Sequence, residues 1–90
     1  MTAPLPVSRV DQWTRELLIA VQRTHLQGIV HYDIQSSNVL LDQHDRLALA
    51  DFGSARDLTP SLRHQDVQDT LQVIRWLSRC VAGLRLARRG

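Results

Sequence analysis

The sequence predicts an α+β fold in which two amphipathic helices enclose a short β-hairpin. Apolar residues recur at helical spacing between residues 10 and 24, and again between residues 67 and 84. Between these stretches lie two short apolar runs, residues 39–41 and 47–50, separated by a polar turn at residues 42–45. We therefore expect the order helix, hairpin, helix, with the helices packed together and the hairpin lying across one end.

The first helix is expected to follow a loose N-terminal segment of residues 1–8, which contains two prolines. Ser8 is the candidate N-cap, because its hydroxyl can accept a free backbone N–H group. Gly28 is the candidate end of the helix, since glycine readily adopts the left-handed conformation that closes many helices. The expected buried stripe consists of Val10, Trp13, Leu17, Ala20 or Val21, and Thr24.

The second helix is expected to begin at Pro60, with Thr59 as its N-cap. A helix that is apolar over much of its circumference favours a central position in its domain. Its expected stripe comprises Val67, Leu71, Ile74, Leu77, Val81 and Leu84, widened by Val73, Trp76 and Cys80. Residues 85–90 form a basic tail, which we expect in water rather than on nucleic acid.

Composition sets limits on the class of protein. Ninety residues make one domain or part of one, and a single cysteine excludes an internal disulfide. The net charge of +2 says little about partners. All 11 basic residues are arginine, so the chain contains no lysine. Without a long apolar run or a signal-like N-terminus, we expect a cytoplasmic protein and no membrane contact.

Polar side chains lie at both ends of the predicted hairpin. Asp33 and Asn38 precede its first strand, and Asp51 follows its second. Folding the hairpin brings these ends together, so that two carboxylates and one amide oxygen cluster. Such a cluster would repel itself unless a hard divalent cation were bound within it.

The stretch from Ile29 to Arg56 resembles the catalytic core of a eukaryotic-type protein kinase. The catalytic loop of that family reads H-R-D-L-x-x-x-N and its metal motif reads D-F-G. Residues 31–38 here read HYDIQSSN, and residues 51–53 read DFG. The resemblance implies a partial kinase-like domain at residues 9–84, equivalent to the C-lobe, with the N-lobe absent. It also implies ATP and Mg²⁺ as cofactors.

The resemblance assigns roles to individual residues. Asp33 would accept the proton of the substrate hydroxyl, while Asn38 and Asp51 would bind the magnesium that holds the ATP phosphates. A loop aspartate that only makes a local turn, a capping Asn38 and a turn Asp51 are the alternatives.

Four further residues would support the site. His31 would pack against Phe52 and fix the loop, and Gly53 completes the metal motif. Asp66 would accept backbone N–H groups of the catalytic loop. The alternative for Asp66 is an ordinary aspartate in the first turn of a helix.

The sequence also departs from the family pattern. Tyr32 replaces the arginine that pairs with a phosphorylated activation loop, and Gln35 replaces the usual lysine. The segment after Gly53 is short and has no A-P-E motif, which is similar to small atypical kinases: bacterial effector kinases, lipopolysaccharide-core sugar kinases and the kinase subunit of the KEOPS complex. The Gly-rich loop and strand lysine expected before Ser8 are not found.

Three hypotheses follow from these observations. The first is a phosphotransferase that moves the γ-phosphoryl group of ATP to a serine or threonine hydroxyl, truncated and inactive alone. The second is a pseudokinase-like module whose apolar face binds a protein partner or the missing N-lobe. The third is a small helical structural or nucleic-acid-binding protein in which the DFG sequence is coincidental.

Overall fold

A computed structural model of the chain describes residues 7–80 and 87–88. Within these residues two helices and five short strands follow one another, which confirms the predicted α+β class. The elements are α1 (Val7–Leu26), β1 (Ile29–Val30), β2 (Val39–Leu41), β3 (Leu47–Leu49), β4 (Arg56–Asp57), α2 (Pro60–Cys80) and β5 (Ala87–Arg88). Single 3₁₀ turns at Ser36–Asn38 and Phe52–Ser54 flank the hairpin.

The predicted hairpin is formed by β2 and β3, which pair antiparallel with Val39 opposite Leu49 and Leu41 opposite Leu47. Two further pairings were not predicted. β1 pairs antiparallel with β4, so that Val30 lies opposite Arg56. β5 pairs parallel with the other edge of β2. These pairings join segments far apart in sequence, which short apolar runs alone do not reveal.

The core lies where α1, the hairpin and α2 meet. Leu17, Val39 and Leu77 are fully buried there, together with Trp13 and Val73. Two polar contacts fix the hairpin across α1. The indole Nε1–H of Trp13 donates to the carbonyl of Asp45 at 2.8 Å, and Glu16 Oε1 accepts the backbone N–H of Leu47 at 3.0 Å. The hairpin is therefore held by hydrogen bonds as well as by apolar packing.

Four residues were predicted to mark helix ends, and the structure confirms three of them: Gly28, Thr59 and Pro60. Gly28 follows α1 with φ +78°, and Thr59 Oγ1 accepts the N–H of Leu62 at 3.3 Å just before Pro60 begins α2. The N-cap prediction was wrong, because Ser8 lies inside a helix that begins at Val7. Of the predicted loose segment, residues 1–6 lie outside the described residues.

The packed face of α2 differs from the predicted stripe. Val67 and Leu71 are each 41% exposed, whereas Asp66 and Thr70 are buried beside Val73. The hydroxyl of Thr70 donates to the backbone carbonyl of Asp66 at 2.7 Å. The carboxylate of Asp66 accepts the backbone N–H groups of His31 and Tyr32, so both buried side chains have hydrogen-bond partners. Because this polar pair lies on the packed face, α2 is oriented differently from what its hydrophobic pattern alone predicts.

Some predictions fall on parts of the chain that are not described. Val81 and Leu84 of the predicted stripe lie outside the described residues, and nothing is described of the Cys80 side chain. Within the predicted tail, residues 87–88 form β5, and residues 85–86 and 89–90 lie outside the described residues. In the described part of the chain, no helix has the length and apolar character needed to cross a membrane.

Candidate functional site

The hairpin brings the predicted metal-binding segments to one end. Asn38 ends the loop before β2, and its carbonyl accepts the N–H of Ala50 at 2.9 Å. Asp51 is the residue directly after Ala50. The backbone therefore places Asn38 and Asp51 at adjacent positions where the two strands meet the polar loop.

The carboxylate of Asp33 is held on both of its oxygens. The side-chain amide of Asn38 donates to Asp33 Oδ2 at 3.1 Å and to the carbonyl of Asp33 at 2.8 Å. The side-chain amide of Gln35 donates to Asp33 Oδ1 at 3.0 Å. Asn38 is buried and Asp33 is half-buried. The loop thus presents a carboxylate whose orientation is set by two neutral amide groups.

Asp51 is exposed and adopts a left-handed conformation with φ +59°. Aspartate tolerates this conformation better than most residues. Its Oδ1 accepts the N–H of Gly53 at 3.3 Å. A Cβ at Gly53 would lie 3.2 Å from the same oxygen, so glycine leaves the carboxylate its room. Among the described residues, no hydrogen bond joins the Asp51 carboxylate to Asp33 or Asn38.

The chemistry of this donor set fits Mg²⁺. Two carboxylates and one amide oxygen are hard ligands of the kind that magnesium prefers. The Asn38 amide nitrogen faces Asp33, which leaves its oxygen as the atom that can ligate a cation. The described residues contain no group of three His, Cys, Asp or Glu side chains that could hold a metal by themselves. A magnesium site commonly completes its coordination with water and substrate phosphates.

His31 is a structural member of the loop. Its ring is fully buried and meets Phe52 edge-on, with 4.6 Å between centroids. Its Nδ1 accepts the backbone N–H of Asp33 at 3.1 Å, and its Nε2 lies 2.7 Å from the carbonyl of Ala50. A carbonyl cannot donate, so Nε2 carries the proton and Nδ1 is the acceptor. Because both nitrogens are occupied, His31 cannot take a proton from a substrate without losing a hydrogen bond.

Asp66 anchors the loop of residues 31–38 from α2. Its fully buried carboxylate accepts the backbone N–H groups of His31 and Tyr32, each at 2.8 Å. This geometry matches the role that the kinase resemblance implied. The alternative, an aspartate in the first helical turn, is wrong, because Asp66 lies beyond the first turn of a helix that begins at Pro60.

Two contacts of the loop were missed by the sequence analysis. His25 Nε2 lies 2.9 Å from Asp66 Oδ2 and supplies this carboxylate with a third partner. The guanidinium carbon of Arg56 lies 5.0 Å from the ring centroid of Tyr32, within cation–π range. Both contacts join residues from different segments, so no local sequence pattern predicts them. His25 and Asp66, for example, are 41 residues apart.

Comparison with known protein families identifies the family of this chain. A family model described as the protein kinase domain matches residues 2–76. The chain belongs to the protein kinase family. The loop that holds Asp33 and Asn38, and the DFG segment beside it, therefore belong to the kinase-family C-lobe.

Individual relatives agree with the family assignment. A Saccharomyces cerevisiae serine/threonine-protein kinase, PKH3, is 45% identical over 56 residues, covering 58% of this kinase-family chain and 6% of the relative. Another serine/threonine-protein kinase of that yeast, STE11, is 33% identical over 76 residues, covering 83% of this chain and 11% of the relative. A probable cell division protein kinase of Encephalitozoon cuniculi is 42% identical over 57 residues, covering 63% of this chain and 18% of the relative. The chain thus spans only a small part of each relative.

Proposed function

We propose that residues 9–84 supply the C-lobe part of a phosphotransferase that moves the γ-phosphoryl group of ATP to a serine or threonine hydroxyl. The observation that carries this proposal is the Asp33 carboxylate, fixed through both oxygens beside Asn38 at the hairpin end where Asp51 also lies. The serine/threonine kinase names of the relatives support the choice of acceptor.

Asp33 is the proposed proton acceptor. As the acceptor hydroxyl oxygen bonds to phosphorus and the bond between phosphorus and the ADP oxygen breaks, the hydroxyl proton passes to the Asp33 carboxylate. Asn38 and Asp51 are the proposed magnesium ligands. Bound Mg²⁺ would neutralise charge on the β- and γ-phosphates. The chain's own contribution is mainly positioning, which accounts for much of the rate enhancement in such reactions.

The residues around these three groups keep them in place. His31 and Phe52 pack together beneath the loop, and Asp66 holds the loop backbone from α2. Gly53 leaves space for the Asp51 carboxylate. These supports act through loop backbone, ring packing and the space left for Asp51, so none of them needs to touch the substrate.

We expect the chain by itself to transfer phosphate slowly. Protein kinases hold the ATP phosphates with a strand lysine, and these 90 residues contain no lysine. Such a group would have to come from outside this stretch of sequence. Slow or absent turnover of the isolated chain is therefore compatible with nucleotide binding.

Nucleotide binding is tested by thermal unfolding with and without Mg-ATP. A ligand that binds the folded form raises the melting temperature, and the rise grows with the logarithm of the ligand concentration once that concentration exceeds Kd. We expect a rise for the wild type and none for Asp51→Ala, with Asp57→Ala, an exposed position in β4, as the matched control. An unchanged wild type, or an equal rise in Asp51→Ala, contradicts the proposal.

Partner binding without catalysis is the second candidate function. A groove of about 490 Å³ between α1 and α2 is lined by Leu18, Leu26 and Val67, which are 47%, 79% and 41% exposed. Exposed apolar side chains grouped around a groove are typical of protein-binding surfaces. A chain that elutes as a complex or oligomer, and that becomes monomeric on Leu26→Glu, supports this function. A well-behaved wild-type monomer with no exposed apolar patch contradicts it.

A further inference from the structure

Gln35 occupies the capping position of the 3₁₀ turn Ser36–Asn38 but does not cap it. Its backbone is extended, at φ −150° and ψ 166°, and its side chain makes no hydrogen bond to the turn. The side-chain amide reaches back two residues instead and donates to Asp33 Oδ1 at 3.0 Å. The side chain is thus used for the carboxylate rather than for the local turn.

The two amide donors on Asp33 approach different oxygens. Gln35 holds Oδ1, and Asn38 holds Oδ2. Without Gln35, the carboxylate would keep one side-chain donor, so rotation about its Cα–Cβ bond would break a single side-chain hydrogen bond. With both donors present, the same rotation breaks two.

We propose that Gln35 is a positioning residue that restricts the Asp33 carboxylate to one orientation through a neutral hydrogen bond. This proposal rests on the proposed function, in which that carboxylate must meet an acceptor hydroxyl. A carboxylate with one orientation presents the same oxygen at every encounter, and small misplacements of reacting groups are costly in rate. Gln35 itself acts through Asp33 and need not touch the transferred group.

The surroundings of Gln35 decide which substitution is informative. Gln35 lines a groove of about 350 Å³ together with Ile34, Val73 and Trp76. Methionine has nearly the same length as glutamine and can lie against these apolar side chains, but it has no N–H group to donate. Gln35→Met therefore removes the hydrogen bond while keeping the side-chain volume. Gln35→Lys restores a donor at a similar reach.

The proposal is tested by NMR on the full chain, through the three-bond couplings that report the χ1 angle of Asp33. We expect couplings of a single rotamer in the wild type, averaged couplings in Gln35→Met, and single-rotamer couplings again in Gln35→Lys. Gln43→Met, in the exposed β2–β3 turn, is the matched control and should leave Asp33 unchanged. A single Asp33 rotamer in Gln35→Met overturns the proposal, as does rotamer averaging in the wild type.

This measurement separates the proposal from the phosphotransferase function, because it needs no nucleotide. If Asp33 loses its fixed rotamer in Gln35→Met while Mg-ATP fails to bind the wild type, the positioning role stands and the proposed function falls. If the slow phosphotransfer of the wild type is measurable, we expect Gln35→Met to lower kcat on the order of 10-fold or more with KM for ATP unchanged. An equal change in both constants contradicts a role confined to orienting Asp33.

Discussion

The carboxylate of Asp66 lies 2.9 Å from Nε2 of His25, although 41 residues separate the two in the chain. The contact joins the last turn of α1 to α2 beside the loop of residues 31–38. Because the same carboxylate also accepts two backbone N–H groups of that loop, it binds three donors from two different segments. This buried hub sets the position of the loop relative to both helices.

Asp66→Asn should be strongly destabilising. The amide can offer one oxygen and would turn its own N–H group toward a backbone donor, leaving buried polar groups unpaired. We expect a loss of about 3 kcal/mol in the free energy of unfolding, measured by chemical denaturation. The control is Asp69→Asn on the same helix. The Asp69 carboxylate accepts from the exposed Gln65, and its replacement should cost about 0.5 kcal/mol or less. Equal losses of unfolding free energy in the two variants would contradict the claim that the buried Asp66 carboxylate holds the loop in place.

His31→Phe separates ring packing from hydrogen bonding. Phenylalanine can keep the edge-on contact with Phe52, but it cannot accept from the backbone of Asp33 or donate to the carbonyl of Ala50. We expect a loss of about 1–3 kcal/mol in spite of the more apolar side chain, measured by denaturant unfolding. His44→Phe in the exposed turn is the control and should change stability little. A stabilised His31→Phe variant would show that ring packing alone holds the loop.

The sequence predicted the elements whose signals are local. The stripe from Val10 to Val21 follows the helical period, Gly28 and Thr59 carry the chemistry of helix ends, and the polar turn at 42–45 separates two apolar runs. The site segments were predictable for the same reason, since the HYDIQSSN and DFG patterns are contiguous. Hydrophobic period and short motifs are sufficient where one segment determines its own structure.

The features that the sequence missed depend on contacts between distant segments. Val67 and Leu71 were expected in the core, yet burial of Asp66 and Thr70 turns a different face of α2 inward. His25 had no recognisable partner in the sequence. A buried polar hub contradicts hydrophobic patterning locally and is recognised only when its donors are assembled in space.

Tyr32 and Arg56 form a cation–π contact whose contribution to stability can be tested. The guanidinium carbon lies 5.0 Å from the ring centroid and connects the loop to β4. We expect Tyr32→Leu to lower the free energy of unfolding by about 0.5–1 kcal/mol, and Tyr32→Phe to leave it nearly unchanged, because the ring face is retained. Adding Arg56→Gln to Tyr32→Leu should cause no further loss. Additive losses in the double variant would exclude a direct interaction.

Asp42 should contribute to stability in a pH-dependent way. Its Oδ1 accepts the backbone N–H groups of Arg46 at 2.9 Å and His44 at 2.8 Å, and these bonds, the one from Arg46 foremost, hold the pKa of Asp42 below its usual value. Because the pKa of Asp42 is lower in the folded state than in the unfolded chain, its ionised carboxylate stabilises the fold at pH values above the unfolded-state pKa. That contribution is lost as the pH falls through the folded value, below about pH 4.

Urea unfolding across this acidic range measures the effect of Asp42. Asp42→Asn should weaken the fall in stability as the pH drops, because the amide does not titrate. Asp11→Asn, an exposed position on α1, is the control. If Asp42→Asn and the wild type lose stability in parallel below about pH 4, the turn hydrogen bonds do not depend on the ionised carboxylate.

Gly53→Ala and Gly28→Ala should separate ligand binding from stability. A Cβ at Gly53 would lie 3.2 Å from Asp51 Oδ1 and force this carboxylate to shift, whereas a Cβ at Gly28 meets nothing within 4 Å but is strained at φ +78°. We expect Gly53→Ala to reduce the thermal shift caused by Mg-ATP at nearly unchanged stability. Gly28→Ala should lose about 1 kcal/mol and keep the full shift. If Gly53→Ala retains the wild-type shift, the room around the Asp51 carboxylate does not matter for nucleotide binding.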